Sequence, residues 1–358
     1  MTSGPMGSLK KTSTRFFSNM LVQTILLPSV LRANPENPPA HYSMVIRLLQ
    51  DLEKNGVLLA DDTNCIRASL FQDIPKWPVK FRKKAEVLLM TLKKKNRFVE
   101  VSLKDEVQAT CKNKPCQQGI RIAKIYSPPA ILTSQGCNQC AHAQLVLVSS
   151  VEVIDLAEYS VSDLFESHLK SSNRILSNGE WNQDKFEQEI LIPLFRDAKH
   201  IKIYDRWVGR SAMTNPHGQI ADNYKLTLEW ILDLFVRESR LGVNGIFEVY
   251  TGLDTRCSKA KVPTFVAVAS LRSFESDMRK AYSFPNFQVS IKKETQADQM
   301  PHERYLITNQ VAISIDRGFD LLLEKRTSPY PRLIRDVCID YCSEPGKIEK
   351  AVGRLPNL

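Results

Sequence analysis

No stretch of this 358-residue chain strings together the roughly 18 apolar residues that a membrane span requires. The N-terminal MTSGPMGSLKKTSTRFFSNML has basic and hydroxyl residues but neither a long apolar core nor a small-residue cleavage site, so it does not read as a signal peptide. Cysteine is sparse as well. Eight in a chain of this length are too few for a disulfide scaffold, which leaves thiols, core residues or metal ligands in a reducing, cytoplasmic setting. Glycine is limited to 14 residues while 43% of the chain is hydrophobic, which excludes a low-complexity or collagen-like polymer and points to globular structure. Acidic residues are scarce in one half only: residues 1–150 hold 10 Asp and Glu against 21 Lys and Arg, and residues 151–358 hold 29 against 28.

What is present follows that asymmetry. The block KWPVKFRKKAEVLLMTLKKKNRF, residues 76–98, has nine basic residues and one acid, with Trp77, Phe81 and Phe98 interleaved. Cations beside aromatics suit a polyanion, because phosphate attraction and base stacking act together. Lys83, Lys84, Lys93, Lys94, Lys95 and Arg97 are therefore the candidate nucleic-acid contacts. A solubilising helix face over a stripe of Ala85, Val87, Leu88, Leu89 and Leu92 is the competing reading. The length suits two domains. A basic α/β domain is expected over residues 1–160, a connector over 161–182, a second α/β domain over 183–345 and a tail over 346–358. In the first, HYSMVIRLLQDLEKNG reads as a helix, and VLLADD, RFVEV, IRIAKIY, AILTS and VEVIDL read as strands. In the second, strands at HIKIYDRWVG, GIFEVYTG and FQVSIKKE alternate with helices, which implies a largely parallel sheet covered on both faces.

The most informative stretch is PHERYLITNQVAISIDRGFDLL, residues 301–322. Its alternating apolar centre predicts a buried hairpin, and its ends carry His302, Arg304 and the run Asp316-Arg317-Gly318-Phe319-Asp320. His302 and Arg304 share a strand face and both donate hydrogen bonds, as a phosphate grip requires. Since functional groups gather at the carboxyl ends of parallel strands, Asp205, Arg206 and Arg210 after HIKIY join the candidate set. An ion-pair cluster with a purely structural role uses the same residue types.

This arrangement resembles the phospholipase D superfamily, whose signature is His-x-Lys followed after four residues by Asp. Here Arg304 replaces the Lys and Asn309 stands where the Asp would be. It is more similar to the phospholipase-D-like domain at the C-terminus of MIT-domain proteins of the ESCRT machinery. That domain has a His-acid-Arg opening, a Gly-Arg-Gly-Leu-Asp-like close and a strand ending in Tyr-Cys. The matching residues are His302-Glu303-Arg304, Arg317-Gly318-Phe319-Asp320, Tyr341-Cys342 and Asp205, over about residues 180–345. The resemblance implies an α/β sandwich in which His302, Arg304, Asp205 and Asp320 are catalytic and Arg206, Arg210, Arg317 and Asn309 bind phosphate, with no metal at the site. Turnover by a phosphohistidine would need a homodimer pairing two His302 side chains, or another acid, because the chain has one copy of the motif. The ESCRT-associated domains are regarded as binding modules. A second His-x-Lys, at His200 and Lys202, begins a strand, where that fold places no catalytic pair.

In the first half, AILTSQGCNQCAHAQLVLVSSVEVIDLAEY resembles the later part of a PIN nuclease domain, with Gln135 in place of a metal-binding Asp. Asp61 and Asp62 in VLLADDTN are the acids to which a metal-dependent reaction would fall. Cys111-x4-Cys116 and Cys137-x2-Cys140, with His142 beyond, form a candidate zinc set, and the expectation is that they are unmetallated core thiols and that the protein has no cofactor. The combined reading is a phosphodiester-acting protein, a metal-independent nuclease of a microbial conflict or mobile-element system. The alternatives are a non-catalytic module that binds phosphoinositide, nucleic acid or a protein partner, and an inert scaffold.

Overall fold

Two β-sheets divide the chain, and the second begins shortly after the basic excess ends. The computed structural model describes residues 20–32, 34, 36–103, 107–134, 136–146, 148, 150–170, 173–176, 181–295, 299–322 and 334–358. The fold is mixed α/β with parallel-rich sheets. The first sheet comprises β1 (Val22–Leu26), β2 (Gly56–Asp61), β3 (Phe98–Val101), β4 (Ala130–Thr133) and β5 (Glu152–Asp155). They are all parallel, in the order β3-β2-β1-β4-β5. Five helices accompany them: α1 (Pro38–Asn55), α2 (Cys65–Asp73), α3 (Val79–Lys94), α4 (Lys114–Tyr126) and α5 (Gly136–Leu145). All six residues of β2 are buried, as in a sheet covered on both faces.

Two elements depart from the sequence expectations. Strand β1 lies outside the expected elements: its Val-Gln-Thr-Ile-Leu sequence, with polar Gln23 and Thr24 side by side, lacks the alternation that marks a strand. IRIAKIY, expected as a strand, is the second half of α4. Asn113 caps that helix through its side chain, a proline occupies its first turn, and Cys116, Ile120 and Ala123 are buried at helical spacing.

The second sheet has the order β6-β12-β11-β10-β7-β8-β9. Its strands are β6 (Asn173–Leu176), β7 (His200–Tyr204), β8 (Ile246–Asp254), β9 (Phe287–Glu294), β10 (Arg304–Thr308), β11 (Ala312–Ile315) and β12 (Val337–Tyr341). The helical segments α6 (Gln183–Phe186) and α7 (Ile192–Phe195) precede β7, joined by a π-helical turn over Glu187–Leu191. Then come α8 (Arg206–Thr214), α9 (Asp222–Glu238), α10 (Thr264–Ala281) and α11 (Pro345–Gly353). Only β7, β8 and β9 run parallel; β10, β11, β12 and β6 add antiparallel pairs. The expected largely parallel sheet thus covers three of the seven strands, because the hairpin of β10 and β11 reverses direction without a helix.

The expected boundaries shift as well. The connector expected over 161–182 holds β6, an edge strand of the second sheet. The tail expected over 346–358 forms α11 and then lies along β9, with Lys293 N–H donating to Pro356 O at 2.8 Å and Leu358 N–H to Ile291 O at 2.9 Å. The two halves meet in a continuous core and at one buried side chain. Arg97 is 1% exposed, and its guanidinium donates to the carbonyls of Leu52, Glu53 and Lys54 at the end of α1 and to Gln310 O between β10 and β11. Gln310 answers with a bond from Nε2 to Asn96 O.

Candidate functional site

The candidate residues gather where β7 ends and β10 begins. Tyr305 pairs with Tyr204 in antiparallel register, which sets Arg304 beside Asp205. Arg304 also pairs with Ile315, so the loop leaving β11 runs past the same edge. Asp205, 1% exposed, caps α8: Oδ1 accepts from Trp207 N–H at 2.8 Å, and Oδ2 accepts from Phe319 N–H at 2.9 Å. Arg304 Nε stands 3.9 Å from Asp205 Oδ1, and its Nη1 donates to Asp316 O at 2.7 Å. Gly318, at φ +89°, lets the loop close down on this pair. A β-carbon there would lie 2.6 Å from Asp205 Oδ2 and 2.9 Å from Arg304 Nε.

Burial pushes the Asp205 carboxyl up to about 6, against the pull of the two amides and Arg304, and the nearby charge of Asp320 adds to the rise. Asp320 is also held above the usual carboxylate range by burial, opposed by Arg335, whose Nε is 3.8 Å from Oδ2. Asn223 Nδ2 donates to the same oxygen at 3.5 Å. The Tyr224 hydroxyl is pushed up by burial and by the charges of Asp205 and Asp320. Asp205, Arg304, Asp320, Tyr224 and Arg335 therefore form one electrostatic unit. The last two escaped the sequence reading because each lies outside the quoted motifs; only the fold brings the start of α9 and the approach to β12 to this edge.

Above this layer lies a more accessible one. Trp207 is 37% exposed, the Arg210 guanidinium stacks on it with its carbon 4.7 Å from the ring centre, and Arg304 faces the same ring at 5.9 Å. His302 and Arg317 are exposed at either end of the hairpin. Sequence reasoning missed the indole, although its place two residues after Asp205 on the cap of α8 was visible.

Several expected members stand elsewhere. Arg206, expected to bind phosphate, is buried, with Nη2 3.7 Å from the buried Glu294 carboxylate; a side chain spent inside the fold does not meet an external phosphate. Asn309 is at the opposite end of β10, where Oδ1 accepts from Lys199 N–H at 2.7 Å. His200 Nε2 stands 2.7 Å from Glu248 Oε2 and Lys202 pairs with Glu349, so both residues of the second His-x-Lys are engaged away from the edge.

The basic block divides in the same way. Lys80, Lys83, Lys84, Lys93 and Lys94 are exposed, and among the described residues no acid lies within ion-pair distance of them. Arg97, expected on the nucleic-acid face, is the buried joint described above, and Lys95 pairs with Glu53 beside it. The aromatics turn inward: Trp77 is buried against Tyr42 with Nε1–H donating to Leu31 O, and Phe81 packs on the same Tyr42. Trp77 is a core residue, and Phe81 and Phe98 are partly buried against the core, so none of the three aromatics of this block stands out as an exposed stacking surface.

At the edge of the first sheet the acids are committed. Asp61 is buried and accepts from Cys65 N–H and Ile66 N–H, both at 2.8 Å, which anchors the start of α2, and Thr63 bonds to the same carboxylate. Asp62 is exposed, and Gln135 lies outside the described residues. The sulfurs of Cys111, Cys116 and Cys140 lie within 4.8 Å of one another, and His142 is exposed on α5 apart from them. No helix among the described residues is long and apolar enough to cross a membrane. Compared with protein-family models, curated proteins and solved structures, the chain matches none.

Proposed function

We propose that the protein binds the phosphodiester backbone of single-stranded nucleic acid at the β7–β10 edge, with the lysines of α3 adding general attraction for a polyanion. The observation that carries this reading is the exposed Trp207 ring faced by two guanidinium groups, Arg210 and Arg304. An indole offers a base a stacking surface, and guanidinium forks beside it grip the adjoining phosphate. A lipid headgroup supplies phosphate but no base to stack. Exposed Lys83, Lys84, Lys93 and Lys94 would release counterions on binding without selecting sequence. Asp205 supports the site from beneath: its oxygens accept main-chain amides and so fix α8 and the Phe319 loop.

A second reading is hydrolysis with His302 as nucleophile, favoured by the exposure of that imidazole two residues before Arg304.

Fluorescence anisotropy with labelled DNA and RNA oligonucleotides, beside phosphoinositide vesicles, tests the proposal. Trp207→Ala and Arg210→Ala are each expected to weaken oligonucleotide binding roughly tenfold, in keeping with the usual worth of a base–aromatic stack. Replacing Lys83, Lys84, Lys93 and Lys94 by Gln is expected to flatten the salt dependence instead. Vesicle binding in preference to oligonucleotides, or affinity indifferent to Trp207, would overturn it. Cleavage that persists in EDTA and vanishes in His302→Ala would establish the second reading.

A further inference from the structure

The order β3-β2-β1-β4-β5 reverses direction between β1 and β4, and the crevice beyond the carboxyl ends of those two strands is where open α/β sheets place their ligands. Ser29 follows β1 and Ser134 follows β4 at that point, tied by Ser134 Oγ–H donating to Ser29 O at 2.6 Å. Four cysteines from two separate segments converge over it. Cys111 lies on the approach to α4 and Cys116 in its first turn, while Cys137 and Cys140 occupy the first turns of α5. The three sulfurs of Cys111, Cys116 and Cys140 already lie within 4.8 Å of one another, and Cys137 lines the same cleft beside Cys111 and Cys140.

Tetrahedral zinc with bonds of about 2.3 Å to sulfur holds its ligands about 3.8 Å apart, so Cys111, Cys116 and Cys140 reach that spacing with movements of about 1 Å. We propose that Cys111, Cys116, Cys137 and Cys140 hold one structural zinc ion, which clamps the entry of α4 to the start of α5 across the switch-point crevice. The surroundings suit thiolates. Gln144 Nε2–H donates to Cys140 Sγ at 3.1 Å, Asn113 Nδ2 approaches Cys137 Sγ at 4.0 Å, and Arg32 and Lys112 line the adjoining cleft of about 340 Å³. Such donors fix ligand orientation from outside the coordination shell. Each thiol gives up its proton to solvent as its sulfur binds the dication. This departs from the sequence expectation of unmetallated thiols, which rested on the loose spacing of the first pair; α4 and α5 bring the pairs together.

The test uses the full chain purified without chelator. Elemental analysis is expected to give about one equivalent of zinc per chain, and exchange with cobalt to give the visible absorption of a tetrahedral cobalt–thiolate centre. Prolonged treatment with a strong chelator is expected to lower the melting temperature of the wild type. Cys137→Ser and Cys140→Ser, which remove less buried ligands than Cys116, are expected to lose the cobalt spectrum. Metal-free protein with four freely titrating thiols and a melting temperature indifferent to chelator would overturn the proposal. So would iron in place of zinc, or a disulfide among the four.

Discussion

The two sheets use their carboxyl edges in opposite ways. At the first, acids and thiols face inward: Asp61 anchors α2, and the cysteines converge over Ser29 and Ser134. At the second, a buried carboxylate supports a cationic layer that remains within reach of solvent, with Trp207, Arg210, Arg317 and His302 accessible. Both edges are built from the same sheet geometry. What separates them is whether the polar groups are saturated by the chain's own backbone. A carboxylate that already accepts two main-chain amides has little left for a ligand, whereas a guanidinium stacked on an exposed ring keeps most of its donors.

The comparison breaks most completely at the joint between the sheets. Arg97→Met keeps the aliphatic stem and removes the donors, leaving the carbonyls at the end of α1 and that of Gln310 without them. A loss of about 3–5 kcal/mol is expected. Urea denaturation followed by tryptophan fluorescence measures it, and a loss below about 1 kcal/mol would show the joint to be dispensable.

The next effect isolates the second edge. The Asp205 carboxyl titrates at about 6 in the fold, whereas an Asp in the unfolded chain titrates at about 4. Between those values the folded protein binds more protons, so this group's contribution to stability is fully present below about pH 4 and is lost as pH rises through about 6. The loss is on the order of 3 kcal/mol. Asp205→Asn is expected to flatten the slope of unfolding free energy between pH 4 and pH 6, with Asp320, Arg304, Tyr224 and Arg335 facing the same position in both proteins. Equal slopes in the two proteins would contradict the assignment.

The smallest effect sharpens the contrast from the other side. Asp61→Ala should cost about 1–2 kcal/mol through the lost helix anchor and leave oligonucleotide affinity unchanged. A large drop in affinity with stability intact would mean that the first edge meets ligand after all.

The hairpin was legible because apolar Leu306 and Val311, Ile313 and Ile315 flank the polar pair Asn309-Gln310, although β10 and β11 bury consecutive residues and do not strictly alternate. The meeting of Asp205, Arg304 and Asp320 followed from the rule that parallel strands gather polar groups at one end. Arg97 was not legible. A basic residue at the end of a run of lysines looks solvent-facing in sequence, and only the path of α1 and the hairpin encloses it. Arg206 misled for the same reason, since its partner Glu294 is 88 positions away in the chain. The inward turn of Trp77 and Phe81 was hidden because their partner, Tyr42, belongs to another helix.

The short stretch along β9 bears on how copies of the protein meet one another. An eight-residue strand at the margin of a sheet exposes main-chain donors and acceptors that a second chain can continue, which is how sheets fuse into aggregates. Pro356 and Leu358 bond to that margin at Lys293 and Ile291, and Lys292 Nζ reaches Asn357 Oδ1. The outer strands of the first sheet, β3 and β5, are only four residues long and offer little to continue. The few residues after α11 thus act as a guard against sideways self-association, and a chain that lost them would present its longest bare template for polymerisation.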